Sequence, residues 1–130
     1  MNPYAFYAAQ LRFAASKTER SDDEIADMMD QLQVIADQID DGASFEVKAA
    51  SMRAAARALA GVAGFLQKQI LPEVVAAGNA IGEAQVRWTI DTSMSLMATM
   101  MTHAEMTNDQ EDLELTLPDA PDLEASKPLH

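Results

Sequence analysis

The chain contains no cysteine, so it has no disulfide framework, no thiolate zinc site and no thiol nucleophile, and it suits a reducing compartment. Bases are scarce as well: nine Lys and Arg stand against 21 Asp and Glu, for a formal charge of −12. A surface of that sign repels nucleic-acid phosphates and anionic membranes and is steered toward basic partners. No apolar run reaches the roughly 20 residues of a membrane span. The most apolar stretch, Ala54 to Leu66, is interrupted by Arg57 and runs into Gln67, Lys68 and Gln69. Met1-Asn2-Pro3-Tyr4 lacks the basic-then-apolar order of a secretory signal, so the expected location is cytoplasmic.

The resources for catalysis are thin. His103 and His130 are the only histidines, no Gly-rich phosphate loop follows a strand, and no serine sits in a strand-turn-helix elbow. A metal site in a helical bundle wants Glu-x-x-His pairs, and the residue three before His103 is Met100. The expectation is therefore a protein without enzymatic activity, cofactor or metal.

What the chain does have is helical pattern. Asn2-Pro3 can cap and start a first helix whose stripe is Tyr4, Tyr7, Leu11 and Ala14 or Ala15, with Lys17 and Arg20 near its C-terminal end. Ser21-Asp-Asp-Glu24 matches a capping box and opens a second helix that ends near Gly42. Its apolar residues Ile25, Met28, Leu32, Ile35 and Ile39 step by three and four and form one stripe. Ser44 is read as the cap of a third, Ala-rich helix whose stripe begins at Phe45 and runs through Met52, Ala56, Leu59 and Ala63 to Ile70. Pro72 then either starts a new helix or kinks a long one, and a break or sharp kink is expected. A last helix reaches about Met106, with Val75, Ile81, Trp88, Ile90, Met94, Met97 and Met101 on its apolar side.

No segment alternates with period two for long, and hairpin turn pairs are missing. The fold class that follows is all-α: an antiparallel bundle of about four helices over residues 1–106, with residues 107–130 an acidic, Pro-containing disordered tail.

Two features are candidate partner surfaces. The segment Ser21 to Gly42 carries eight acids and no base, with Asp27, Asp30 and Asp37 among the carboxylates on its polar faces. A solvated surface is the ordinary use of such a run; ion pairing with Arg53 and Arg57 on the third helix, or occupation of a phosphate-binding groove on another protein, are the alternatives. Five of the nine methionines lie between Met94 and Met106, and Met97, Met100 and Met101 are either core filler or an adaptable apolar contact. Gly78 and Gly82 have the spacing of a close helix crossing, and Trp88 reads as a core or interface anchor. Together these features suggest a small acidic interaction protein that binds another protein with a basic surface and self-associates. An acidic mimic of nucleic acid and a structural assembly subunit are the other readings.

Overall fold

A computed structural model describes residues 3–39 and 42–120. It is mostly helical with a short two-stranded sheet. Helix α1 (Pro3–Lys17) buries Tyr7, Leu11 and Ala15 of the predicted stripe and also Ala8, with Tyr4 and Ala14 partly buried against the core. Helix α2 (Asp23–Ile39) buries Met29, Leu32, Ile35, Ala36 and Ile39, with Ile25 and Met28 packed against the core edge. Its start differs from the expected capping box. The Asp22 carboxylate accepts the Ile25 amide at 2.8 Å, which satisfies an amide that the first turn leaves free. Glu24 is thereby released and pairs with Arg57 instead.

The all-α expectation fails at Ser44. Strand β1 (Ser44–Val47) replaces the predicted helix start and pairs antiparallel with β2 (Leu113–Thr116), placing Phe45 opposite Leu115 and Val47 opposite Leu113. Phe45 and Val47 point into the core while Ser44 and Glu46 face out, the two-residue period of a half-buried strand. Four residues are too few to register as alternation, and the partner lies far along the chain. The same pairing corrects the tail boundary. Leu115 and Leu117 are buried, and the Leu117 amide bonds the Ala43 carbonyl at 2.8 Å, so the segment read as disordered from Thr107 closes the core as far as Leu117. Residues 121–130 of that expected tail lie outside the described residues.

The outer side of β1 is closed without a third strand. Gln38 of α2 accepts the Glu46 amide at 2.8 Å and donates to the Glu46 carbonyl at 3.0 Å, so one side chain supplies what a neighbouring strand would.

A short 3₁₀ turn (Ala49–Ser51) leads into α3 (Met52–Phe65), which buries Met52, Ala55, Ala56, Ala58, Leu59, Val62 and Ala63. The helix does not break at Pro72. It widens into a π-helical turn over Leu66–Ile70 and continues as α4 (Leu71–Ala76), with Pro72 in the first turn of α4. A helical proline clashes with the carbonyl four residues earlier; here that is Lys68, inside the wide turn, which relieves the clash. The real break follows at Gly78, whose φ of 67° is a conformation that favours glycine. Asn79 then caps α5 (Ala80–Thr107) by accepting the Gly82 amide at 2.9 Å. Gly78 and Gly82 are thus parts of a turn and a cap, and a side chain at Gly82 would collide with Asn79. They do not form a helix crossing.

Helix α5 packs most extensively on α3, and its buried face is rotated from the predicted one. Val86, Thr89, Ile90, Thr92, Ser93, Leu96, Met100 and Ala104 are buried, whereas Met94 is exposed. Three of these buried residues, Thr89, Thr92 and Ser93, carry hydroxyls. The Tyr7 hydroxyl reaches Ser93 at 2.8 Å, and burial pushes the Tyr7 phenol well above its ordinary pKa, so it stays neutral. Trp88 is an anchor as expected, edge-to-face with Tyr7 at 5.7 Å and with Tyr4 at 6.2 Å between ring centroids.

Candidate functional site

The carboxylates singled out on α2 are answered chiefly by α1 and the turn that follows it. Arg12 reaches Asp37 at 2.7 Å and Arg20 reaches Asp30 at 2.6 Å, while Asp27 faces solvent with no ion pair among the described residues. The third helix contributes as predicted only through Arg57, on Glu24; Arg53 turns away to Asp109 at 3.0 Å. All these pairs are substantially exposed, so each adds little to stability. Their effect is on the outward potential, because two of the three named carboxylates present a bound guanidinium beside the negative charge.

The methionines divide. Met100 is fully buried and belongs to the core. Met97 and Met101 are partly buried against the core edge. The exposed surface between and beyond them consists of Met94, Ser95, Ala98, Thr99 and Thr102, then Met106, which is 82% exposed. From Thr92 to Thr102 no residue is charged. At 1.5 Å per residue this gives about three turns of neutral helix face, bounded by Asp91 and Glu105, on a chain of net charge −12. Beside it lies a shallow groove of about 360 Å³, lined by Ala98, Thr99, Thr102, His103, Met106 and Leu113. The floor of that groove is fixed from below. The His103 Nε2 lies 2.9 Å from the Glu111 carbonyl oxygen, the Asp112 carboxylate accepts the Ala49 amide at 2.7 Å, and Asn108 and Asp109 take left-handed conformations that turn the chain back toward β2.

A second, deeper groove of about 400 Å³ opens where α1, α2 and α3 meet. Its walls are apolar: Ile25, Met28 and Leu32 from α2, Val62 and Phe65 from α3, and Phe13 from α1. The Phe13 and Phe65 rings stand 6.4 Å apart and remain 45% and 39% exposed. Sequence periodicity cannot show such a groove because three helices build it, although Gly61, a glycine inside an Ala-rich helix, was a visible signal.

Among the described residues no cluster of three or more His, Asp or Glu side chains is placed to hold a metal ion, and no helix is long and apolar enough to cross a membrane. No protein-family model, curated protein or solved structure matches the chain.

Proposed function

We infer that this is a small, non-enzymatic, acidic interaction protein of the cytoplasm that works by contact with other proteins and with copies of itself, and that the neutral face of α5 is its contact surface. One observation carries the reading: three turns of exposed Met, Ser, Ala and Thr without a charge, on a chain of net charge −12. Two like-charged copies meet with least repulsion where neither carries charge, and small side chains permit close helix approach. Met106 projects next to the groove lined by Ala98 and Thr102, so a two-fold pairing lets each copy insert its methionine into the other. Shared linings support an antiparallel helix arrangement, since the last turn of α1 and the first turns of α2 border one groove. The free acids, Asp23 and Asp27 on α2 among them, steer a basic partner toward the assembly.

The nucleic-acid mimic reading is less well supported, because Asp37 is bound to Arg12 of α1 and Asp30 to Arg20 of the turn after it. The test is a double substitution, Ala98→Arg with Thr102→Arg, at exposed positions where the fold tolerates charge. Light scattering should give a multiple of the chain mass for the native protein and a single chain mass for the variant, with unchanged circular dichroism. An unchanged mass in the variant sinks the assignment of this face.

A further inference from the structure

The groove between α1, α2 and α3 is separate from the α5 face and has its own chemistry. We propose that it binds an amphiphile with an apolar chain and a single carboxylate head, free in solution, with the head held by Lys17. Four observations support this occupant. The volume of about 400 Å³ lies within the range of small-molecule sites, roughly 300–1,000 Å³. Its lining is apolar except for Lys17 and Thr18, and the Thr18 hydroxyl is already spent on the Ala14 carbonyl at 2.8 Å. Lys17 is therefore the one lining group able to recognise charge. Its ammonium lies 5.7 Å from the Phe13 ring centroid at the mouth, a cation–π position, and it makes no ion pair among the described residues.

That placement is unexpected on a chain with more than twice as many acids as bases. A basic partner would meet Lys17 as repulsion, whereas an anion meets it as the complementary charge. The fourth observation is Gly61. A glycine in a helix interior weakens the helix relative to alanine, yet a Cβ at Gly61 would meet nothing within 4 Å. Packing does not require glycine there. Its consequence is depth, because it lines the groove where a side chain would fill it.

The test is calorimetric titration of the full chain with decanoate, with decyltrimethylammonium as the cationic control. Saturable one-to-one binding of decanoate is expected, at least tenfold weaker in Lys17→Glu, lost in Gly61→Leu, and not matched by the cationic amphiphile. Both positions are exposed, so folding should persist and circular dichroism checks it. If Gly61→Leu fails to fold, Gly61→Ala replaces it and should still weaken binding severalfold. Equal binding of both amphiphiles, decanoate binding indifferent to Lys17→Glu and to the Gly61 variant, or no saturable binding at all would overturn the proposal. None of these outcomes bears on the α5 face, whose failure is read from chain mass.

Discussion

At the scale of single residues, the two buried threonines of α5 differ: the hydroxyl of one is satisfied and that of the other is not. Thr89 donates to the Gln85 carbonyl at 2.9 Å, as an exposed threonine would. Thr92 is as deeply buried, and its Oγ1 has no hydrogen-bond partner among the described residues. A buried polar atom without a partner keeps its desolvation cost. Thr92→Val, similar in shape and lacking the hydroxyl, should therefore raise unfolding free energy by about 1 kcal/mol in urea titration. Thr89→Val gives up an existing bond and should stabilise less. A destabilising Thr92→Val would show that the hydroxyl is satisfied.

Asp112 supplies a pH signature at the same scale. Accepting the Ala49 amide holds its carboxyl below the ordinary carboxylate range, with the Lys48 ammonium adding to the effect and partial desolvation opposing it. A depressed folded pKa contributes stability that is present above the unfolded value, near 4, and is lost as pH falls through the folded value. Stability followed down the acid limb should fall less steeply below about pH 4 in Asp112→Asn than in the native protein. Identical acid limbs would remove Asp112 from the account. Lys48, raised chiefly by its bond to Glu46, has the mirror-image behaviour at alkaline pH.

Among the elements, β2 and the residue after it make a contribution to stability that can be tested separately from the helices. β2 supplies Leu115 to the core and Leu117 follows it there, while the loop before the strand carries Asp109, Glu111 and Asp112 to Arg53, His103 and Ala49. Leu117→Ala should cost about 2 kcal/mol or more, and a chain ending at Thr107 should melt markedly lower than the full chain. A truncated chain with an unchanged melting temperature would mean that β2 does not hold the fold. Helices α1 and α2 were legible in the sequence because apolar residues repeat at three and four along each and most of them are buried. The strands were not, since each is four residues long and their pairing joins Ser44 to Thr116. The buried side of α5 was hidden for another reason. Thr89, Thr92 and Ser93 count as polar in any periodicity, yet they are buried, with Ser93 meeting the Tyr7 hydroxyl of α1. The same rotation removes Met100 from the surface and exposes Met94.

On the scale of the whole molecule, the charge pattern gives each surface its character. The acids of α2 are partly neutralised by Arg12, Arg20 and Arg57, which the sequence placed nearby in only one case, because α1 was not recognised as their main partner. The α5 face from Thr92 to Thr102 is left without charge, and the groove at Lys17 is left both apolar and cationic. An association through a neutral face responds to salt in one direction. Screening weakens repulsion between two chains of charge −12 without touching the contact itself, and at 1 M salt the screening length is about 3 Å. Pairing through carboxylates and arginines responds in the opposite sense. The most direct measurement is therefore the mass of the native protein in solution as salt rises from low to about 1 M. The account predicts that the multimeric mass holds or increases; a single-chain mass at every salt, or a multimer that dissociates as salt is added, would contradict it.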